Sequence, residues 1–327
     1  MIKASDSRVQ QQQHLINSAI NLPSPEVLMQ NPTGTFYTFG VSQSFDFPTV
    51  YISQRNIQKE NVKLAEMSQN RDVSDLKYQL SVLYWELHFE QQFLLRLEQQ
   101  DSIYGVIAQN AQRSFEAGTI DYIQASFANL QAVQVKTNLY ETQANYSSLL
   151  QKIKFISGIK TDFITENNSN KLFINSIDIN QNNSLLLANQ ELVISQKSLK
   201  LEQQKLLPGF TFGFLNQGEK NTAFRNQFFA GVKIPLWIWQ YKGNLSAAKS
   251  QIEISEYNSE NQILTITIEL ERAQLIKEAY KKAIDYYELD GSKRAESLID
   301  AANRFYKSGN YSVTEYLRNL NDAADIK

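Results

Sequence analysis

Proline is confined to two stretches of this chain, Pro23, Pro25, Pro32 and Pro48 in the first and Pro208 and Pro235 in the second. Inside a helix a proline removes a hydrogen bond and costs about 3 kcal/mol. The proline-free run from Thr49 to Leu207 can therefore hold helices well beyond ordinary length. Within it Val73, Leu80, Leu87 and Leu94 recur at heptad spacing, with Leu76, Leu83 and Leu97 on the alternating positions. That pattern is a coiled-coil seam. A second apolar edge, Tyr78, Val82, Trp85, Phe89 and Phe93, predicts that each helix touches more than one neighbour. From about Ser53 to Phe115 the only strong interior stop is Gly105. At the α-helical rise such a helix reaches roughly 90 Å.

The proline-rich stretches have a different period. Tyr37, Phe39, Val41, Gln43, Phe45 and Phe47 alternate with Thr38, Gly40, Ser42, Ser44 and Asp46. This period of two predicts a strand long enough to cross a bilayer at the tilt of a barrel. The second stretch repeats the design. Phe210, Phe212 and Phe214 alternate with Thr211 and Gly213, a polar loop follows around Asn216, Gln217, Gly218, Glu219 and Lys220, and a further strand places Phe228, Ala230, Val232, Ile234, Leu236 and Ile238 on one face. Pro235 belongs near the end of that strand, where the chain returns to helix.

The two halves superpose at a constant offset. Gly40-Val41 matches Gly231-Val232, Gly118 matches Gly309, and Leu22-Pro23 and Leu207-Pro208 precede the two strand regions. Phe115-Glu116-Ala117-Gly118-Thr119-Ile120-Asp121 corresponds to Tyr306-Lys307-Ser308-Gly309-Asn310-Tyr311-Ser312. In each segment glycine closes one helix and a capping residue opens the next. Gln124 follows Asp121, and Glu315 follows Ser312, at capping-box spacing. The organisation is thus a first repeat over 1–160, an Asn-rich connector over 161–183 and a second repeat over 184–327. In the connector Leu172, Ile174, Ile177 and Ile179 alternate only briefly, which predicts weakly regular structure. The helix returning after Asp121 runs to about Ile156, whereas few residues follow Ser312, and the helix before Leu22 is shorter than its counterpart over about Ser184 to Leu206. The repeat therefore predicts that both ends are cut.

Reactive chemistry is poorly supplied. Cysteine is absent and His14 and His88 are the two histidines. This removes disulfides and thiolate chemistry and leaves no spacing of convergent metal donors. His88 lies one residue off the heptad seam, the place of an inter-helix or tunnel-wall polar residue. Glu269 and Glu271 stand in a helix rich in Lys and Arg and read as a solvated face. No nucleophile motif or phosphate loop occurs, so the sequence predicts no catalytic residue, cofactor site or metal site and no enzyme. A net charge of −2, without a basic stripe, argues against nucleic acid as a partner. The chain has no run of about 18 apolar residues, which excludes a membrane helix but leaves membrane strands open.

In combination, Gly231-Val232-Lys233-Ile234-Pro235-Leu236-Trp237, the preceding Leu207-Pro208-Gly209-Phe210, the helix ends at Gly118 and Gly309 and the joined heptads resemble the TolC-like outer-membrane efflux family. The resemblance implies a mainly α fold with membrane β: long antiparallel coiled-coil helices forming a periplasmic tunnel, four strands per protomer given to one shared trimeric barrel, and two internal repeats. It implies a homotrimer in the outer membrane, joined at its helix tips, Gly118, Thr119, Gly309 and Asn310, to a periplasmic adaptor protein and an inner-membrane pump of the RND type. It also implies that Glu315, and less readily Asp121, narrows the periplasmic entrance, the alternative for both being helix capping. Trp85 is expected in helix packing, and Trp237 and Trp239 in an interfacial aromatic girdle. The Gln- and Asn-rich wording and Phe45-Asp46-Phe47-Pro48-Thr49-Val50-Tyr51 are most similar to heavy-metal-efflux relatives, some of which are fused behind the pump. The competing reading is a soluble coiled-coil scaffold with a small β domain.

Overall fold

A computed structural model of the chain describes residues 2–31, 37–166, 178–216, 224–235 and 238–326. Leu172, Ile174 and Ile177 of the connector, the loop residues Gln217 to Lys220, and Leu236 and Trp237 lie outside the described residues. The element order is α1 (Ile2–Ser18), β1 (Glu26–Gln30), β2 (Thr38–Phe45), α2 (Pro48–Glu116), α3 (Tyr122–Ser157), α4 (Asn183–Gln204), β3 (Gly209–Leu215), β4 (Phe228–Lys233), α5 (Ile238–Tyr286), α6 (Ser292–Lys307) and α7 (Val313–Ile326). The 69 residues of α2 run unbroken through Gly105. Pro48 stands at its first position, where a missing N–H costs nothing. The corresponding run in the second repeat is divided: a π-helical turn, Tyr287–Gly291, separates α5 from α6.

Two compact units form, Met1–Asp75 with Ile174–Glu269, and Leu76–Phe173 with Leu270–Lys327, and each draws on both repeats. In the first unit the helices are joined largely by polar side chains. The Gln-rich α1 is held to α2 by Ser5 donating to Asp72 Oδ2 at 2.6 Å and by Gln58 Nε2 donating to Gln12 Oε1 at 2.8 Å. The Ser5 hydroxyl, ahead of the charge of Arg71, holds the Asp72 carboxyl below its ordinary range. Glu60, buried between α2 and α4, accepts from Lys197 Nζ at 2.7 Å, Gln190 Nε2 at 2.8 Å and Lys63 Nζ at 3.1 Å. These donors, Lys197 foremost, lower its pKa to about 2. A buried carboxylate so surrounded stays ionised because two ammonium groups and an amide N–H stand in for the water it lost.

The same unit holds the antiparallel sheet, in the order β1-β2-β3-β4. One face carries cross-strand rows of apolar side chains: Val27 lies opposite Val41, Val41 opposite Phe214, and Phe214 opposite Phe228. Phe45, Phe210 and Val232 make a second row. This apolar face is the exposed one, with Val27 77% and Val41 47% accessible, while Thr38 and Ser42 on the other face are 3% and 7% accessible. Small residues let that inner face close up. A Cβ on Gly213 would meet the Phe229 ring 2.3 Å away. Strand β4 is shorter than its alternation predicts. It ends at Lys233, Ile234 and Pro235 follow without ladder bonds, and Ile238 already belongs to α5. Pro235 has no N–H to give to a neighbouring strand, so pairing stops ahead of it.

In the second unit the heptad seam is realised. Leu83 and Leu87 of α2 pack with Ile153 of α3, and Leu80, Tyr146, Leu149 and Leu150 surround them. The second edge behaves differently: Tyr78, Val82, Trp85 and Phe89 stay exposed and, with Tyr280 of α5, line an open surface groove in place of a packed seam. Trp85 does not join the packed seam and lies edge-on to Tyr84 and His88. His88 ties α2 to the non-helical segment that follows α3 and not to another helix. Thr165 gives its single hydroxyl proton to Gln91 Oε1 at 2.7 Å, so the 2.9 Å contact from His88 Nδ1 places a proton on that ring nitrogen.

Candidate functional site

The features that the sequence singled out meet at the two helical turns of the second unit. Helix α2 ends in Gly118 at φ +73°, and α6 is followed by Gly309 at φ +77°, a region that a Cβ disfavours. Around both glycines the same pair of backbone hydrogen bonds recurs, shifted by the repeat, and the second turn adds a bond from Tyr311 N–H to Phe305 O at 3.3 Å. Gly118 N–H donates to Phe115 O at 2.9 Å and Thr119 N–H to Ser114 O at 2.9 Å; Gly309 N–H donates to Tyr306 O at 3.1 Å and Asn310 N–H to Phe305 O at 3.0 Å. These are the paired bonds of a Schellman motif, which satisfies carbonyls that the helix end leaves free. Gly118, Thr119, Gly309 and Asn310 are all exposed.

The next helices open in different ways. Asp121 caps α3 by accepting from Gln124 N at 2.8 Å. At α7 the cap is reciprocal: Ser312 Oγ accepts from Glu315 N at 3.2 Å, while Glu315 Oε2 accepts from Ser312 N at 2.8 Å and from Ser312 Oγ at 2.9 Å. The backbone N–H of Ser312, then its hydroxyl, hold the Glu315 carboxyl below its ordinary range. Both acids are exposed, and among the described residues no hydrogen bond joins one to the other.

A single core underlies both turns. Tyr104, Ile107 and Ala111 of α2, Ala128 and Val135 of α3, Ala302 of α6 and Val313, Tyr316 and Leu317 of α7 are buried together. Tyr316 stacks on Tyr306 with centroids 4.4 Å apart and donates to Asn303 Oδ1 at 2.7 Å. Burial raises its phenol pKa. The hairpin ends are thus rigid platforms with polar caps and no reacting pair. Among the described residues no three of His, Cys, Asp and Glu converge as a metal site, and no helix is long and apolar enough to cross a membrane.

The sheet is the other functional element. Its apolar face points to solvent, and neither β1 nor β4 has a further strand beside it among the described residues. Sequence reading found β2, β3 and β4 but not the bounds of β1, whose five residues Glu-Val-Leu-Met-Gln are too short to establish a period. Trp239, at the start of α5, is 69% accessible.

No protein-family model matches the chain, and no curated protein matches it in sequence. Solved structures do match in shape. The outer membrane protein VceC of Vibrio cholerae is similar at a TM-score of 0.78 and 12% identity, over 99% of this chain and 86% of that one. CusC, described in terms of folding and transmembrane channel formation, matches at 0.81 and 14%, over 99% and 83%. The CmeC outer membrane channel of Campylobacter jejuni matches at 0.76 and 15%, over 99% and 78%. The fold is therefore that of the TolC-like channels.

Proposed function

We propose that this chain is the outer-membrane channel component of a tripartite efflux system, a passive export duct from periplasm to exterior. The observation that carries the reading is the inverted sheet. A water-soluble sheet buries its apolar face, whereas this one exposes rows of Val and Phe and covers Thr38, Gly40 and Ser42. Strands that alternate apolar-out and small-or-polar-in are what a lipid-facing barrel wall requires. Four antiparallel strands are also an even number, so β4 of one copy and β1 of the next run in opposite directions and the ladder continues across copies. A homotrimer then closes a barrel from three such sheets, and Trp239 lies in the girdle at its rim.

Such a duct needs positioning rather than reaction chemistry. The exposed turns at Gly118, Thr119, Gly309 and Asn310 are the docking points for a periplasmic adaptor and, with it, an RND-type inner-membrane pump. Glu315 and Asp121 place carboxylates beside those turns, where they narrow the entrance and favour cations. The reciprocal cap does not remove the Glu315 charge; it keeps the carboxylate ionised and fixes its position. Heavy-metal cations are the proposed cargo, on the sequence likeness to that branch of the family.

The experiment is purification from outer membranes in non-ionic detergent, followed by native mass measurement, electron microscopy and planar-bilayer recording. A hollow elongated trimer with cation-selective conductance is expected, with selectivity reduced in Glu315→Gln. Deleting the gene should sensitise cells to heavy-metal salts. A monomer or dimer indifferent to detergent would overturn the channel reading and leave the scaffold.

A further inference from the structure

Beneath the second hairpin, α2, α6 and α7 line a half-open cavity of about 370 Å³. Ligand sites run from about 300 to 1,000 Å³ and are mostly apolar with a few placed polar groups. This cavity fits that description: Ile103, Ile299 and Leu320 supply apolar wall, and Arg96 is the one charged residue among those lining it. The nearby hydroxyls are already engaged, Tyr316 with Asn303 at 2.7 Å and Tyr104 with Asn321 at 2.5 Å.

Arg96 is half-buried, and among the described residues no carboxylate lies within ion-pair distance of it. Its guanidinium sits 5.7 Å from the centre of the Phe93 ring. An aromatic ring at that distance is no substitute for a carboxylate acceptor, and it is the N–H edges of a guanidinium that pair bidentately with a carboxylate. A lysine would offer a point charge without that directionality. The arrangement is confined to one repeat: the positions matching Arg96 and Gln100 are Tyr287 and Gly291, the two ends of the π-helical turn.

We propose that this cavity binds a small aromatic or alkyl monocarboxylate, its apolar body against Ile103, Ile299 and Leu320 and its carboxylate paired with Arg96. The site does not depend on the channel reading, since every group it uses lies within one compact unit. A bound ligand bridges α2 to α6 and α7 and stabilises the folded unit by mass action.

The test uses the 327-residue chain in non-ionic detergent, titrated with 2-naphthoate and with its uncharged analogue 2-naphthamide and followed by calorimetry. Naphthoate should saturate one site per chain and bind about tenfold or more tighter than the amide, the scale of a charge-assisted pair. Arg96→Gln should abolish the preference while keeping weak binding of both, and Ala324→Phe, which fills the cavity, should abolish both. Melting curves establish that each variant is folded; Arg96→Met, expected to lose the preference as Arg96→Gln does, and Leu320→Phe stand in for one that is not. Equal binding of acid and amide by the parent chain, a preference unchanged in folded Arg96→Gln, or no saturable binding up to about 1 mM would overturn the proposal.

Discussion

The turn between α2 and α3 and the turn between α6 and α7 share the same pair of closing backbone bonds around a left-handed glycine, yet the helices that leave them are built differently. In its first two turns helix α3 buries only small side chains, Ala125 and Ala128, and it opens with one acceptor on Asp121; its larger buried residues begin at Val135. Helix α7 buries Val313, Tyr316 and Leu317 and opens with a reciprocal Ser312–Glu315 cap. The two repeats share a turn geometry, which a left-handed glycine satisfies at the least conformational cost, and differ in packing and charge. A slim helix can pack closely against its neighbour; a bulky one needs a core to fill.

The largest test of this contrast is Leu317→Ala, which empties a fully buried position and should cost about 2–5 kcal/mol in urea unfolding followed by circular dichroism. The converse change in the slim helix, Ala125→Leu, overpacks and should cost about 1–3 kcal/mol. If Leu317→Ala proved as mild as a surface change, the bulky packing of α7 would be wrong. Next come Gly118→Ala and Gly309→Ala. Nothing lies within 4 Å of an added Cβ at either site, so the loss is purely conformational, about 1–2 kcal/mol at each. Clearly unequal losses would break the equivalence of the turns.

Removing the caps sharpens the difference. Asp121→Ala and Ser312→Ala should each cost about 1 kcal/mol, the second more than the first because it also releases Glu315. The smallest effect is a pH dependence. The folded Glu315 carboxyl titrates below its unfolded value of about 4.3. The unfolded state therefore binds more protons in that window, and the cap's contribution, complete above it, fades as pH falls through the folded pKa. A stability profile from about pH 6 to pH 3 should lose this component in Glu315→Gln and keep it in Asp121→Asn.

Much of the helical architecture was legible because it rests on strong local signals. Proline placement located the breaks, the heptads located Leu83 and Leu87 in a seam, and the offset between Gly118 and Gly309 located both turns. The π-helical turn was not legible: nothing in Tyr-Glu-Leu-Asp-Gly breaks a helix outright, and its one buried residue, Gly291, carries no side chain whose pattern could mark it. Glu60 was not legible either, since its donors come from Lys197 and Gln190, far away in sequence. The sheet was half legible. Alternation gave the two faces of β2 and β3, but period alone does not say which face is wet, and that required the accessibility of Val27 and Val41 against Thr38 and Ser42.

In the trimer proposed above, the two outer strands of that sheet set a rule for growth. A surface that offers one margin as donor and a different margin as acceptor adds copies head to tail, and such addition has no natural stopping point unless rotation brings the last copy back to the first. Twist and shear per copy therefore act as a counting device: with one value the series ends in a ring, with another it runs on as a filament. A substitution that flattens β2 or β3 need not unfold a single chain to be harmful. It can leave each copy intact and alter the number at which the ring closes.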